Sequence, residues 1–308
     1  MTTVGIALFG ISVLYLGLAC ARSPGRHPFP AHGFAGLGVV ALTAVLAALG
    51  VRLVMLYLTP LAWTGYILAL DGAVFRARGR SLLANDRTAL LWMAALSVPL
   101  WLVFEAYNLR LENWSYIGLP ASPLLRSAGY LWSFATIWPA VLVTADFLLA
   151  TRWSAPPAVQ RPATAATPGP RALAAMVLGG AACLAVPLLA PPPAGAYLFG
   201  LVWIGFVLLL DPLNYRAGRP SLLGDFAAGR RERCWALLAS GVVCGFFWEF
   251  WNYWATARWV YVFPIFQQAK IFEMPLPGYL GFPPFAAEIF VMYVYFAGLL
   301  RVPAYEIR

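Results

Sequence analysis

The chain has 308 residues, of which 62% are hydrophobic and only 11% charged, and its mean hydropathy is +0.75. A soluble domain carries roughly 25% charged residues, so this composition describes a polytopic membrane protein. It excludes a soluble dinucleotide enzyme, a nucleic-acid partner and a disulfide-stapled module; the +9 net charge marks cytoplasmic loops, not an anionic partner.

A helix needs about 20 apolar residues to cross the hydrocarbon. Nine stretches qualify in chain order: 4–20, 34–50, 54–70, 88–108, 128–150, 172–190, 196–212, 235–254 and 283–301. Bare backbone polar groups are not tolerated in lipid, so all nine are expected as helices and the fold class as all-α. Arg52 punctuates the turn between 34–50 and 54–70, and Pro191, Pro192 and Pro193 punctuate that between 172–190 and 196–212. Alternate connections, beginning with 21–33, hold 16 of the 21 Arg and Lys residues. The positive-inside rule then places the N-terminus outside and the C-terminus in the cytoplasm, in a bacterial inner membrane.

The chemistry is bounded by what is scarce. His27 and His32 share one loop, and Cys20, Cys183, Cys234 and Cys244 form no C-x-x-C pair. Neither a metal centre nor an organic cofactor is expected.

Two stretches match at nearly constant offset. YILALDGAVFRARGRSLLAND (66–86) answers VLLLDPLNYRAGRPSLLGD (207–225), and LWLVFEAYNLRLENWSYIGLP (100–120) answers GFFWEFWNYWATARWVYVFP (245–264). Asp71 matches Asp211, Arg76 matches Arg216, Glu105 matches Glu249 and Asn108 matches Asn252. The expected organisation is a first span and basic loop (1–33), repeat one (34–150), a Pro/Ala-rich cytoplasmic linker (151–171) and repeat two (172–308). Each repeat holds four spans, an even number, so the two are parallel and related by an axis along the membrane normal.

Acids inside a bilayer are costly and need a reason. An i,i+3 spacing puts Glu105 with Asn108, and Glu249 with Asn252, on one helix face each. At 1.5 Å per residue, Glu249 and Glu288 fall at nearly the same depth below the outer surface, so a carboxyl pair is expected there. FFWEFWNYW (246–254) surrounds Glu249 with rings that would attract a developing carbocation. Intramembrane Glu and Asn also serve simply to lock helices together. Trp114, Tyr116, Trp254, Trp259 and Tyr261 fit an interfacial belt. Arg76 and Arg216 fit headgroup or phosphate binding, and Asp71 and Asp211 can cap or pair with them. The proline-rich segment 255–282 is no regular span; it fits either a stretch lying in the interface or a lid dipping over the Glu249 level, with Lys270 and Glu273 paired on a turn.

These elements resemble the small, membrane-embedded, flavin-independent lycopene cyclases of carotenoid biosynthesis, which are built from two homologous domains. The resemblance rests on VPLWLVFE (98–105) with NWSY (113–116), and on WEFWN (248–252), RWVY (258–261) and FEMPLPGYLGFPPFAAEIF (272–290). The family's proline motif runs into two adjacent glutamates, where this chain has Pro275-Leu276-Pro277-Gly278, flanked by Glu273 and Glu288. The resemblance implies Glu105 and Glu249 as intramembrane acids and a long apolar isoprenoid ligand.

The expected function is acid catalysis on a polyisoprenoid or related membrane lipid. Glu249 and Glu288 would be donor and partner, with Glu105, Asn252 and Asn108 in support. Phe247, Trp248, Trp251, Tyr253 and Glu273 would contact substrate. A non-enzymatic lipid carrier and a structural subunit of a membrane complex are the alternatives.

Overall fold

The computed structural model describes residues 1–23, 25, 27–151 and 167–303; most of the expected linker (151–171) lies outside the described residues. The first half runs α1 (Thr2–Ala21), α2 (Ala31–Ala48), α3 (Arg52–Leu56), α4 (Leu58–Arg78), α5 (Leu82–Asn85), α6 (Arg87–Leu111), β1 (Trp114–Ile117), α7 (Pro123–Ala135) and α8 (Ile137–Thr151). The second runs α9 (Pro170–Leu189), α10 (Phe199–Arg216), α11 (Leu222–Ala227), α12 (Glu232–Trp254), β2 (Arg258–Tyr261), β3 (Lys270–Ile271), β4 (Met274–Pro275) and α13 (Phe282–Leu300). Short 3-10 turns, Ala194–Leu198 and Leu276–Gly281, lead into α10 and α13.

Among the described residues, nine helical stretches are long and apolar enough to cross a membrane. The third lies further along than the apolar run alone suggests, at Leu58–Arg78 instead of 54–70. Arg52–Leu56 forms its own short turn, and the helix carries on past its apolar part to Arg76 and Arg78 before Gly79 ends it with φ +76°. Basic side chains in a last helical turn face the negative end of the helix dipole, which favours that extension.

Alpha-4, α8, α12 and α13 form the centre of the bundle, while α1, α2 and α9 pack around it with most residues facing outward. The peripheral helices dock through glycine. A Cβ on Gly36 of α2 would lie 2.3 Å from the Ala69 backbone nitrogen of α4, and one on Gly180 of α9 2.5 Å from that of Leu209 of α10. Small residues let backbones approach where no hydrophobic drive exists between helices in lipid.

The fifth span is broken between α7 and α8, three residues before Pro139. Ser97 of α6 fills the gap: its hydroxyl donates to the Phe134 carbonyl and accepts the Trp138 N–H at 3.1 Å. A side chain inserted into the helical ladder is a recognised cause of a kink.

The elbows after α4 and α10 correct the headgroup expectation for the two aspartates. Asp71 and Asp211 are each only 2% exposed. Asp211 accepts the N–H groups of Leu222 and Leu223, both at 2.8 Å, at the start of α11. Asp71 accepts the Ser81 hydroxyl at 2.6 Å and the Leu83 N–H at 3.3 Å, with His32 Nε2 at 3.0 Å. Ser81 and Ser221 cap α5 and α11 in turn. Both carboxylates therefore bond the N-termini of short helices inside their own half and are closed to lipid headgroups. Arg216 is exposed and Arg76 half-buried at this surface.

Asp211→Ala removes the acceptor of two buried N–H groups and is expected to cost about 1–2 kcal/mol. Thermal unfolding in detergent should show a lowered Tm for this variant and an unchanged one for Arg216→Ala.

Candidate functional site

The site begins with two asparagines near the C-terminal ends of α6 and α12. Asn108 accepts the N–H groups of Asn113 (2.8 Å) and Trp114 (3.1 Å) and donates to the Trp114 carbonyl (2.8 Å). Asn252 accepts the Trp259 N–H (3.0 Å) and donates to the Trp259 carbonyl (2.8 Å). Each amide thus clamps the backbone of a tryptophan that starts or follows the start of a strand. Neither amide is hydrogen-bonded to its neighbouring carboxyl, so the expectation that Asn252 and Asn108 support the acids directly is corrected. A side-chain amide matches a peptide group donor for acceptor, and the peptides leaving the helices needed partners.

The clamped strands pair with each other. Beta-1 and β2 run antiparallel with Trp114 opposite Tyr261, Ser115 opposite Val260 and Tyr116 opposite Trp259. Alternation along a strand sends Trp114, Tyr116, Trp259 and Tyr261 to one face, and that face looks down onto the helix ends. Tyr116 donates to Glu105 Oε1 at 2.5 Å, joined by Trp101 Nε1 at 2.8 Å and Trp114 Nε1 at 3.3 Å. Tyr261 donates to Glu249 Oε1 at 3.0 Å and accepts from Trp259 Nε1 at 3.0 Å. In both halves a tyrosine of the ribbon thus donates to the helix glutamate, while the tryptophans differ: Trp101 and Trp114 donate to Glu105, and Trp259 donates to Tyr261.

Burial, reinforced by the adjacent glutamates, holds the hydroxyls of Tyr116 and Tyr261 well above their ordinary pKa of 10, so both remain donors. Below the ribbon lies a cavity of about 320 Å³. Trp114, Tyr116, Trp259 and Tyr261 form its roof, while Trp101, Phe104, Trp248 and Phe285 line its flanks. Glu105 and Glu249 do not line it; they stand behind the tyrosines that do.

The expected Glu249–Glu288 pair is not formed. Glu249 has Tyr261, Trp259, Glu273 and the Met274 backbone as its electrostatic neighbours. Glu288 is completely buried, and neither of its oxygens has a hydrogen-bond partner. The reason is the depth at which α13 begins. The 3-10 turn has already descended when α13 starts, so a Cβ on Gly241 of α12 would lie 2.3 Å from the Phe282 carbonyl oxygen and 3.0 Å from Pro283 Cα. Alpha-12 and α13 are antiparallel, and Glu288 lies six residues past Phe282 while Glu249 lies eight past Gly241. The two acids are thus about 20 Å apart along the bundle at 1.5 Å per residue.

The expected aromatic wall divides likewise. Trp248 lines the cavity. Phe247 and Trp251 point the other way, into packing with Phe9 of α1 and Tyr66 of α4. Tyr253 packs on Phe272, and its hydroxyl accepts from Thr2 at 3.5 Å. One helix cannot turn residues 247, 248, 251 and 253 to a single side, since neighbours are 100° apart. Glu273 sits in the turn of the β3–β4 hairpin, 3.2 Å from Arg258; Lys270, its expected partner, donates to the Tyr261 carbonyl instead.

Four residues that fit an interfacial belt, Trp114, Tyr116, Trp259 and Tyr261, prove to be the roof. Their signal is a W-x-Y triplet at nearly the same distance after each Glu, 9–11 and 10–12 residues on. Among the described residues no cluster of His, Cys, Asp and Glu could hold a metal ion. No protein-family model, curated protein or solved structure matches this chain.

Truncating either clamp should free its own strand. Asn108→Ala is expected to accelerate amide hydrogen exchange at 114–117 first, and Asn252→Ala at 258–261. Each should lower stability by about 1–3 kcal/mol. Equal protection of both strands in both variants would refute the clamp assignment.

Proposed function

We propose that the chain is an integral-membrane enzyme that isomerises a polyisoprenoid by proton transfer in the chamber beneath the ribbon. The observation carrying this reading is the pair of matching glutamate–tyrosine hydrogen bonds whose tyrosines roof one aromatic cavity. In this reading the two halves are parallel repeats in a bacterial inner membrane, N-terminus outside and C-terminus inside. The ribbon then lies at the outer surface. The β1–β2 register supports such an arrangement, because exchanging Trp114 with Trp259 and Tyr116 with Tyr261 leaves the pairing unchanged.

A carboxyl far from water is a proton donor by default, since its charged form is poorly solvated. Transfer begins when the protonated Glu249 carboxyl donates to the Tyr261 oxygen, reversing the resting hydrogen bond and turning the tyrosine O–H toward the substrate. The Glu249 proton then passes to that oxygen as the tyrosine hydroxyl proton adds to a substrate double bond. The alkene π-pair forms the new C–H bond and leaves a carbocation. Trp101, Trp248 and Trp259 present π-faces to that cation. Loss of a proton from a neighbouring carbon returns the donor to its first state, so the product is an isomer and no redox partner is consumed. Glu105 and Tyr116 form the equivalent donor on the other side of the dyad.

One observation favours a second reading, lipid binding without chemistry: neither carboxyl itself reaches the cavity wall. Expression in bacteria that accumulate linear isoprenoids, followed by chromatography and mass spectrometry of lipid extracts, separates the two. The expected result is a product of unchanged mass and altered retention. Glu249→Gln and Tyr261→Phe should each slow its formation by about 10²–10⁴-fold, the usual contribution of general acid catalysis. Isoprenoid that co-purifies unconverted would leave only the binding reading. Full conversion by the double variant Glu105→Gln/Glu249→Gln would remove the acid role.

A further inference from the structure

The cavity wall is aromatic and aliphatic for most of its extent, but its mouth is cationic. Arg126, on the first turn of α7, is exposed and lines the cavity, as does Arg258 at the start of β2. Both belong to one rim. The Tyr57 hydroxyl donates to the Leu125 carbonyl at 3.0 Å, tying the end of α3 to α7. The Thr256 N–H donates to the Met55 carbonyl at 2.8 Å, tying α3 to the approach of β2. Leu56, Tyr57, Leu125 and Ala257 all line the cavity beside the two arginines.

The charges at this rim do not balance. Glu273 lies 3.2 Å from Arg258, while Arg126 takes part in no ion pair recorded among the described residues. Helix stability does not account for Arg126 either. The first turn of α7 carries no acid and no capping side chain, and a cation there faces the positive end of the helix dipole. An exposed guanidinium at an unfavourable helix end, on the lip of an apolar chamber, is placed to meet the polar head of what enters.

We propose that the ligand of this chamber is an amphiphile, an isoprenoid chain in the aromatic cavity with a phosphate head bound at the mouth by Arg126. The proposal rests on the reading of the cavity as an isoprenoid site and narrows it from a hydrocarbon to a prenyl phosphate. The planar fork of arginine matches phosphate oxygens with two parallel hydrogen bonds. A pure hydrocarbon would leave that cation unanswered. Arg258, tethered to Glu273, flanks the head as a second, weaker donor.

The test uses the full chain in detergent, with binding followed by quenching of tryptophan fluorescence, since Trp101, Trp114, Trp248 and Trp259 surround the cavity. The probes are geranylgeranyl phosphate, geranylgeraniol, phosphatidic acid and inorganic phosphate. Geranylgeranyl phosphate is expected to bind at least tenfold more tightly than the alcohol. Arg126→Ala should erase that ratio while leaving alcohol binding and Tm unchanged, and Arg126→Lys should keep part of it. Equal affinity for alcohol and phosphate, or an undiminished ratio in Arg126→Ala, overturns the proposal while sparing the isoprenoid chamber. Phosphatidic acid binding as tightly as the prenyl phosphate, or displacement of the prenyl phosphate by an equal concentration of inorganic phosphate, also overturns it. No quenching by either prenyl probe removes the chamber reading, and this proposal with it.

Discussion

The hydrogen bonds that Asp71, Asp211, Asn108 and Asn252 make to backbone groups at helix ends share one cause. A peptide group that leaves a helix near hydrocarbon has no water to bond, and an unmatched group there costs several kcal/mol. Each half of this protein meets that cost with side chains from its own long helices. At the end where α4 and α10 finish, an aspartate bonds the N-terminus of a short following helix. At the opposite side an asparagine bonds both polar atoms of a tryptophan peptide. Ser97 does the same for the break between α7 and α8.

This constraint sets the site. Because Asn108 and Asn252 hold the chain directly over the ends of their helices, β1 and β2 are close enough to pair. Pairing then fixes which side chains face inward, and the two inward tyrosines meet the glutamates three residues before the clamping asparagines. The i,i+3 spacing of Glu and Asn thus serves two functions on one helix end: the amide holds the strand while the acid bonds the tyrosine the strand delivers. Of the outward members of the ribbon, Ser115 and Ile117 are exposed and their partners Val260 and Arg258 half-buried.

Much of this was legible in the amino-acid order, for physical reasons that also explain where it was not. Nine spans are visible because crossing length and composition are local properties. The matched Asp, Glu and Asn positions are visible because they recur, yet their partners are backbone groups, which leave no trace in composition. The depth of Glu288 depends on whether the prolines between 275 and 284 lie flat or descend, and that is decided by the docking of Phe282 against Gly241 and Gly245. The aromatic run 246–254 reads as one wall, but Phe247 and Trp251 are claimed by Phe9 of α1, a helix distant in sequence. Trp114 and Tyr261, by contrast, need the cross-half pairing of two short strands before their common face has any meaning.

The correspondence between halves ends beside the ribbon, and the difference gives the chamber a direction. In the first half the chain enters its last span as α7, whose Tyr130 and Phe134 line the cavity and stack at 5.5 Å. In the second half the same stretch of chain is the β3–β4 hairpin and a 3-10 turn, pinned by Glu273 to Arg258 and by Phe272 to Gly5 of α1. Phe272 holds φ +56°, a conformation costly for an aromatic residue, and its ring fills the space a side chain on Gly5 would need. The hairpin side is therefore closed by covalent turns and an ion pair. The α7 side is closed by Tyr57, which lies over Gly129, where an added Cβ would sit 3.1 Å from the ring, and donates to the Leu125 carbonyl. Under the proposed function, the side between α4 and α7, at the lip that carries Arg126, is the less firmly closed of the two.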